Sequence, residues 1–340
     1  MQENRNKIKV IHFQRKPRPG ANYSIESIFE NLRCRLKDKI DFSVNACSYY
    51  NDGYFSKFLN IVEAASRQKK NAIAHITGEV HFLDLFMRKK NVLLTIHDCR
   101  FMERKSGMAK KLMAWLYLKA PVYKTKFVTA VSENTKKDII NYTGVSAEKI
   151  CVIHDNVDSI FKPVPKIFNY TCPVILQIGT APNKNLSRLT DAVKSISCKL
   201  VIIGSPGERE LEKLAENKIA YVIKSNLSAD ELYIEYVNSD IVAFVSTFEG
   251  FGMPIVEANC VERAVLTSNI SSMPEVAGDA ACLVDPYDTE DIRKGLLKLI
   301  HNKEYREQLI ANGRKNKLRF DGKIIAEQYY QLYKKIAENF

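Results

Sequence analysis

The feature that most constrains this sequence is the stretch from Phe244 to Ala258, which reads F-V-S-T-F-E-G-F-G-M-P-I-V-E-A. The apolar run from Ile241 to Val245 predicts a buried strand at its start. Gly250 and Gly252 then let the backbone bend and approach a ligand closely. Pro254 suits the first turn of a helix, where its missing N–H costs nothing. The stretch therefore predicts a strand, a glycine loop and a helix, the order in which α/β folds build ligand sites.

Two glutamates flank this loop. Glu249 lies on the loop and Glu257 lies one turn into the predicted helix, with seven residues between them. A phosphate at a helix N-terminus is bound by N–H groups and cations, so carboxylates at this place serve another purpose. The hydroxyl groups of a sugar or a ribose are the natural partners of both glutamates.

The segment E-G-F-G-x-P-x-x-E-A resembles the signature of the retaining, nucleotide-sugar-dependent glycosyltransferases of family 4, which have the GT-B fold. The similarity continues through residues 271–279, S-S-M-P-E-V-A-G-D, and residues 283–286, L-V-D-P. It implies an α/β protein whose two Rossmann-like domains, each a doubly wound parallel sheet, face a cleft. It also implies the transfer of a sugar from a nucleotide diphosphate donor, with retention at the anomeric carbon.

The length of 340 residues allows two domains, each with its own core. We expect an acceptor-side domain at 1–165, a nucleotide-sugar domain at 166–322, and a helix at 323–340 that crosses back to the first domain. Residues 154–158, H-D-N-V-D, are similar to the P-N-G-V-D junction of the family. Asn156 takes the place of glycine there, and asparagine tolerates the left-handed conformation that such a turn requires.

In the first domain, residues 95–98 read T-I-H-D at the end of a predicted strand, where open α/β sheets bind ligands. The resemblance assigns His97 to the transferred sugar, and the alternative is a structural pair between His97 and Asp98. Asp98 and Gly20 are expected in loops that line the acceptor side of the cleft. The basic loop that contains Gly20 also fits a merely solvated loop.

The resemblance also implies the residues of the donor site. Glu249 would orient the donor sugar and support the positive charge at its anomeric carbon, and Lys184 would bind the diphosphate. Thr180 and Asn183 stand where many relatives carry an arginine. The expected donor-binding set is Thr180, Lys184, Lys224, Gly250, Phe251, Gly252 and Glu257, with Glu257 at the ribose and Lys224 facing the nucleobase.

The sequence predicts neither a metal nor a cofactor. There is no D-x-D motif to hold a divalent cation against a diphosphate. His75 and His81 supply only two ligands, fewer than zinc requires. The nucleotide sugar is a substrate. The eight cysteines contain no C-x-x-C pair, which indicates reduced thiols in a cytosolic protein.

The positive charge is concentrated in the first half of the chain. Residues 1–165 carry a net charge of +13 and residues 166–340 a net charge of −1, which together make the +12 of the chain. This asymmetry suggests an anionic partner such as membrane phospholipid, a pyrophosphate-linked lipid or nucleic acid. The Lys-rich segment 104–126, with an apolar stripe of Met108, Leu112, Trp115 and Leu116, fits two structures. It is either a helix packed on its own domain or a helix resting on an anionic membrane.

The function predicted from the sequence is that of a retaining glycosyltransferase in the assembly of a cell-surface polysaccharide such as lipopolysaccharide. The expected partners are a nucleotide-diphosphate sugar, a lipid-linked glycan acceptor and an anionic membrane surface, with no nucleic acid. No apolar run is long enough to cross a bilayer, so we expect a cytoplasmic protein, peripheral on the inner face of the plasma membrane. The alternatives are another GT-B enzyme such as an epimerase, and a non-catalytic protein that binds anionic lipid or nucleic acid.

Overall fold

The computed structural model describes residues 7–17, 24–102, 111–112 and 114–338. Gly20 lies outside these residues, and so do Arg104, Lys105, Met108 and Lys110 of the Lys-rich segment. The chain divides into two compact units. Unit 1 comprises Met1–Asn156 and Gly322–Phe340, and unit 2 comprises Val157–Asp321.

Unit 1 is built on a parallel sheet of six strands in the order β2-β1-β3-β4-β5-β6. The strands are β1 (Ile8–Gln14), β2 (Ile40–Ala46), β3 (Ile73–Ile76), β4 (Val92–Ile96), β5 (Phe127–Ala130) and β6 (Ile150–Val152). The helices are α1 (Ser24–Leu36), α2 (Tyr54–Arg67), α3 (Ala120–Lys124), α4 (Glu133–Thr143) and, from the end of the chain, α12 (Gly322–Ala337). Strands β3 and β4 are buried along their whole length, as strands covered by helices on both faces are.

The last helix, α12, belongs to the core of unit 1. Its buried residues Ile325, Tyr329, Tyr333 and Ile336 recur at helical spacing and share one apolar cluster with residues of α1 and of strands β1, β3 and β4. Residues near the end of the chain therefore help to cover a sheet that begins at Ile8.

A chain of buried polar groups crosses the core of unit 1. The Tyr333 hydroxyl contacts His75 Nδ1 at 2.7 Å and His12 Nε2 at 3.2 Å. His75 Nε2 lies 2.7 Å from Thr95 Oγ1, which in turn lies 2.7 Å from Thr129 Oγ1. Both nitrogens of His75 are therefore occupied by hydroxyl groups, as buried polar atoms require. Among the described residues, no group of three or more His, Cys, Asp or Glu side chains is placed to hold a metal ion.

Unit 2 has a second parallel sheet of six strands, in the order β12-β11-β10-β7-β8-β9. The strands are β7 (Val174–Ile178), β8 (Lys199–Ile203), β9 (Ala220–Lys224), β10 (Ile241–Phe244), β11 (Ala264–Ser268) and β12 (Cys282–Val284). The helices are α5 (Leu186–Ala192), α6 (Glu208–Glu216), α7 (Ala229–Asn238), α8 (Met253–Val261), α9 (Met273–Ala277), α10 (Thr289–His301) and α11 (Lys303–Asn316). The sequence analysis did not identify β11 and β12, whose short runs follow helices closely.

One expectation from the sequence is wrong. Asn156 does not adopt the left-handed conformation, and its amide Nδ2 instead donates to Asn31 Oδ1 at 3.4 Å. In the apolar stripe of the Lys-rich segment, Leu112 and Trp115 are 50% and 54% exposed, Leu116 packs against the core of unit 1, and Met108 lies outside the described residues. Leu118, within the π-helical turn Trp115–Lys119, and Val122 of α3 are buried. No helix within the described ranges is long and apolar enough to span a membrane.

We expect the substitution Tyr333→Phe to lower the free energy of unfolding of unit 1 by about 1–3 kcal/mol, because it leaves two buried imidazole nitrogens without their hydroxyl partner. Urea denaturation followed by the fluorescence of Trp115, the one tryptophan of the chain, measures the change in unit 1. Tyr330→Phe is the matched control, since the ring of Tyr330 contacts the ammonium groups of Lys39 and Lys334, and phenylalanine retains this ring. Equal losses in both variants would contradict a role for the buried hydroxyl.

Candidate functional site

The candidate site of unit 2 lies at the carboxyl ends of two neighbouring strands. Strands β7 and β10 pair in parallel, with Leu176 opposite Val242. The loop after β7 leads through a 3-10 turn, Pro182–Lys184, into α5, and the loop after β10 leads into α8. Because parallel strands end at the same edge of a sheet, the register brings these two loops side by side.

An ion pair joins the two loops. Lys184 Nζ lies 2.7 Å from Glu249 Oε1, and Asn183 Nδ2 donates to the same oxygen at 3.2 Å. The Lys184 ammonium also lies 4.7 Å from the centre of the Phe244 ring, a distance at which the ring face attracts a cation. The family resemblance assigned Lys184 to the diphosphate and Glu249 to the sugar of the donor, whereas in the structure the two side chains pair directly.

Gly179 makes room for the lysine of this pair. Its φ is +86°, and a Cβ atom at this position would lie 2.9 Å from Lys184 Cγ. Any side chain at residue 179 would therefore have to displace the stem of Lys184, besides adopting an unfavourable left-handed backbone. The glycine that follows β7 thus leaves the space in which the Lys184 side chain reaches Glu249.

The backbone of the glycine loop is held by two serines from the turn between β11 and α9. The Ser271 hydroxyl accepts from the Glu249 N–H at 3.2 Å and is 2.7 Å from the Glu249 carbonyl oxygen. The Ser272 hydroxyl lies 2.7 Å from the Phe251 carbonyl oxygen. The sequence analysis quoted these serines only as part of the family resemblance. The pattern S-S-M-P was the available signal, but it did not show that these hydroxyls reach the loop.

Two asparagines that received no ligand role in the sequence analysis complete the support. Asn183 Nδ2 donates to the Phe248 carbonyl oxygen at 2.9 Å. Asn185 has a left-handed backbone with φ of 60°, and its Nδ2 donates to the carbonyl oxygens of Val245 and Pro286. The buried Asn185 amide therefore ties together the segments that follow β7, β10 and β12. The sequence N-K-N was the available signal, since asparagine tolerates left-handed turns.

The helix that follows the glycine loop offers fewer amide donors than the sequence suggests. Gly252, with φ of 113°, is the N-cap of α8, and Pro254 in the first turn has no N–H. The N–H of Ile255 already donates to the Gly252 carbonyl oxygen at 3.0 Å. Gly250 and Phe251 are both buried in the loop. Much of the positive charge available to an anion at this edge therefore comes from Lys184.

Glu257 lies close enough to Lys184 to feel its charge and is hydrogen-bonded by the hydroxyl of Tyr236. Burial raises the pKa of Glu257 to about 7, against the lowering effects of the Tyr236 hydrogen bond and of Lys184, while Asp158 raises it further. Near neutral pH the carboxyl group is therefore divided between its charged and neutral forms, and both can accept a hydrogen bond from a hydroxyl group.

Two residues of the expected donor set are engaged elsewhere. The Thr180 hydroxyl lies 2.9 Å from the Ser205 carbonyl oxygen and accepts from the Ser205 N–H at 3.2 Å, which joins the loops after β7 and β8. Lys224 Nζ forms an ion pair with Glu235 at 2.5 Å. The structure therefore brings Lys184, Glu249 and Glu257 together, and it gives Thr180 and Lys224 partners within the protein.

In unit 1, His97 follows the carboxyl end of β4. Its Nε2 donates to the Thr77 carbonyl oxygen at 2.9 Å, and its Nδ1 lies 3.5 Å from Asp155 Oδ2. Burial by itself lowers the pKa of His97, but the Asp155 carboxylate and the Thr77 carbonyl outweigh it, so the pKa is raised above its usual value. The two acceptors thus favour the cationic form of the imidazole.

The alternative for His97 was a structural pair with Asp98. The structure shows a different partner. Asp98 Oδ1 accepts from the Arg100 N–H at 2.9 Å, and Asp155 is the carboxylate that faces His97. Gly78, with φ of +143°, packs against the ring, and a Cβ atom there would lie 2.7 Å from His97 Cδ2. Asp155 and Gly78 thus position the histidine, and Gly20 lies outside the described residues.

Comparison with known families links both units to enzymes that act on sugars. A model described as "Glycosyl transferases group 1" matches residues 162–316, which lie within unit 2. A second model, "Glycosyltransferase Family 4", matches residues 38–159, almost all of which belong to unit 1. The resemblance inferred from E-G-F-G-x-P-x-x-E-A is confirmed by these matches.

Individual relatives and a solved structure agree with the family models. The chain is 29% identical to the O-antigen chain mannosyltransferase RfbU of Salmonella typhimurium over 208 residues, which are 58% of this chain and 58% of that protein. It is 27% identical to the O-antigen chain mannosyltransferase B of Escherichia coli over 232 residues, 62% of this chain and 60% of that protein. The matched region thus spans less than two thirds of these curated relatives. The crystal structure of Anabaena Alr3699/HepE in complex with UDP-glucose superposes with a TM-score of 0.78 at 16% identity, covering 96% of this chain and 100% of that one. The predicted GT-B fold is confirmed.

We expect the stability of unit 2 to fall as the pH rises from 4.5 to about 7, because the pKa of Glu257 is about 7 in the folded chain against an ordinary 4.5. In this window Glu257 holds a proton in the folded protein that it has lost in the unfolded chain. The contribution of Glu257 to stability is therefore full at low pH and is lost as the pH rises through the pKa of the folded state. Glu257→Gln should flatten this part of the profile, as measured by calorimetry of the full chain.

Glu262→Gln is the control for this pH profile. The hydrogen bond from Arg314 lowers the pKa of Glu262, so the contribution of Glu262 is lost only as the pH falls. This variant should keep the decline in stability toward pH 7. If Glu257→Gln keeps the same slope as the unsubstituted protein, another group is responsible for it.

Proposed function

Because the chain belongs to the glycosyltransferases that combine the family 4 and group 1 domains in a GT-B fold, we propose that it transfers a hexosyl residue from a nucleoside diphosphate sugar to a glycan acceptor. We propose that the configuration at the anomeric carbon is retained. The Lys184–Glu249 pair at the ends of β7 and β10 is the observation that carries this proposal. The relatives named as O-antigen chain mannosyltransferases support a glycan acceptor in the assembly of a surface polysaccharide.

The pair supplies both charges that such a transfer requires. When the bond from the anomeric carbon to the diphosphate oxygen breaks, negative charge grows on the diphosphate and positive charge on the sugar. Lys184 would stabilise the first and Glu249 the second, from side chains whose positions are already fixed by Asn183, Phe244 and Gly179. The oxygen of an acceptor hydroxyl then forms a bond to the anomeric carbon. The hydroxyl proton is taken up by the departing nucleoside diphosphate.

The other residues of the site have roles that follow from their chemistry. Glu257, held by Tyr236, would accept hydrogen bonds from the ribose hydroxyls of the donor. Gly250, Phe251 and Gly252 would allow the donor to approach the backbone closely. In unit 1, His97 would contact the transferred sugar. It would do so by exchanging its bond to the Thr77 carbonyl oxygen for a bond to the ligand, while Asp155 keeps the ring oriented.

We expect Glu249→Gln and Lys184→Ala each to lose about a hundredfold or more in transfer rate while the protein stays folded, since each removes a preorganised charge. A thermal-shift screen of nucleoside diphosphate sugars identifies the donor first, because a bound ligand raises the melting temperature by mass action. Initial rates of sugar transfer to glycan acceptors are then measured with that donor.

Lys213→Ala is the matched control for the two site variants. It removes a lysine of another ion pair of unit 2, with Asp191 at 2.5 Å, which joins helices α5 and α6. It should keep its transfer rate. Near-normal rates in both site variants would contradict the catalytic assignment, and release of an epimerised sugar without an acceptor would indicate an epimerase instead.

We also propose that no metal is required, because Lys184 takes the electrostatic role that a divalent cation has against a diphosphate elsewhere. Treatment with EDTA should therefore leave the transfer rate essentially unchanged. The control is a parallel assay with added Mg²⁺, which should give the same rate. Complete inhibition by EDTA that Mg²⁺ reverses would show that a cation binds the diphosphate.

We further propose that unit 1 docks on the anionic inner face of the plasma membrane, where a lipid-linked acceptor would lie. Aromatic side chains project from α2, from the 3-10 turn His81–Phe86 and from the turn that contains Trp115. Phe55 is 75% exposed, and the exposed rings of Phe58 and Phe86 lie 6.3 Å apart. Exposed aromatic groups on a basic half-chain fit the headgroup region of an anionic bilayer.

We expect the full chain to sediment with anionic vesicles at low salt and to be released at high salt, because each engaged basic residue contributes about 1 kcal/mol and salt screens it. The fluorescence of Trp115 should shift to shorter wavelength on binding. Phe55→Ser should weaken binding, whereas Ile167→Ser, which changes a fully exposed apolar residue of unit 2, should not. No sedimentation with anionic vesicles at low salt would contradict the docking proposal.

A further inference from the structure

A basic cavity of about 610 Å³ lies in unit 1, at the side of β1 and β2. Its lining includes the cationic side chains Lys7, Lys9, Arg33 and Lys37, the carboxylate of Asp41 and the exposed thiol of Cys34. Four cations against one carboxylate give the lining a net charge of +3. The volume is in the range of pockets that bind small molecules.

The cavity is separate from the strand end that carries His97. Lys7 and Lys9 lie at the start of β1, whereas His97 follows the end of β4 in the same parallel sheet. The two places are therefore at opposite edges, about 20 Å apart for a strand the length of β1. Basic residues in the last turn of α1 also offset the negative end of the helix dipole. Lys7 Nζ donates to the carbonyl oxygen of Lys37, just after α1, at 3.0 Å and so shares this role, whereas Lys9 on the same strand adds further positive charge to the lining.

Arg33 is a half-buried cation of the cavity lining. Within the part of the chain that the structure describes, its guanidinium makes no ion pair, and Nη1 lies 3.2 Å from His12 Nδ1. Burial lowers the pKa of Arg33, against the raising effects of Glu30, Cys34 and Tyr333. A half-buried guanidinium whose partner is a neutral ring keeps its full charge and most of its N–H groups for an oxyanion.

The buried polar chain of unit 1 fixes the orientation of this arginine. Arginine can only donate, so His12 Nδ1 accepts and His12 Nε2–H donates to the Tyr333 hydroxyl. The Tyr333 hydroxyl then donates to His75 Nδ1, and His75 Nε2–H donates to Thr95. Burial first, and then the charges of His75 and Arg33, lower the pKa of His12, so the ring stays neutral as this direction requires. The guanidinium is therefore preorganised by five residues behind it.

We propose that this cavity binds an anion that carries at least two phosphate groups. Arg33 would bind one phosphate with its planar donor groups, and Lys7, Lys9 and Lys37 would neutralise the remaining charge. Free diphosphates and the headgroups of phosphorylated lipids share this chemistry. The site is independent of the proposed glycosyl transfer, since Lys184 and Glu249 belong to unit 2.

Cys34 provides a probe that reports on this cavity alone. The experiment uses the full chain with Cys151→Ser and Cys172→Ser, because these are the other cysteines that are not buried. The rate of N-ethylmaleimide modification at Cys34 is measured by mass spectrometry with and without pyrophosphate at low salt. Pyrophosphate that binds only at Lys184 in unit 2 does not protect Cys34, so failure of either proposal is seen separately.

We expect saturating pyrophosphate to slow the modification of Cys34 severalfold, and the same ionic strength of chloride to leave it unchanged. Arg33→Gln and Lys37→Gln should each weaken this protection about tenfold in apparent affinity, since a hydrogen bond to a charged group contributes about that much. Lys90→Gln removes an exposed lysine of unit 1 outside the cavity and should keep the protection. Circular dichroism checks that each variant is folded.

A second arm identifies the source of the phosphate groups. Vesicles of neutral lipid are compared with vesicles that contain diacylglycerol pyrophosphate. Protection by free pyrophosphate supports a soluble ligand, and protection by diacylglycerol pyrophosphate vesicles alone supports a lipid headgroup. If neither slows the modification of Cys34, or if protection survives in both Arg33→Gln and Lys37→Gln, the proposal is overturned.

Discussion

The parallel pairing of β7 with β10 is the constraint on which the site of unit 2 depends. These strands are far apart in sequence, and their register, Leu176 opposite Val242, decides that the loop carrying Lys184 meets the loop carrying Glu249. All residues of β10 and the central residues of β7 are buried, so a slip by one residue would turn the buried side chains toward the other face. Burial of apolar side chains in the core of the sheet therefore stabilises the arrangement that brings the ion pair together. The polar residues take their positions from this core.

The residues around the Lys184–Glu249 pair also take their positions from the sheet. Small and polar residues at strand ends shape the loops, as Gly179 does for the stem of Lys184 and as Asn185 does for three converging segments. The Asn185 amide supplies hydrogen bonds to carbonyl oxygens that a regular strand or helix would otherwise have supplied. The consequence is that Lys184 and Glu249 face each other from rigid supports, which is what electrostatic catalysis requires of charged groups.

The apolar core of unit 1 contains a series of hydrogen-bonded polar side chains. His12 and His75 are buried in the sheet, and they are tolerated because each nitrogen has a partner, with Tyr333 of the last helix between them. One end of this chain orients Arg33 at the amino-terminal edge of the sheet. The other end reaches Thr95, two residues before His97. A helix from the end of the sequence thus links the two edges of the sheet.

The sequence by itself determined the strand Ile241–Val245, the glycine loop that follows it and the first turn of the next helix, because apolar runs, glycine and proline act locally. The predicted strand agrees with β10 to within one residue, whereas β11 and β12 were not predicted. Only the tertiary structure decided which side chains contact each other. It paired Lys184 with Glu249 and His97 with Asp155, and it placed Trp115 on the surface rather than in the core. These outcomes depend on the register of distant strands and on the packing of helices, which no local pattern encodes.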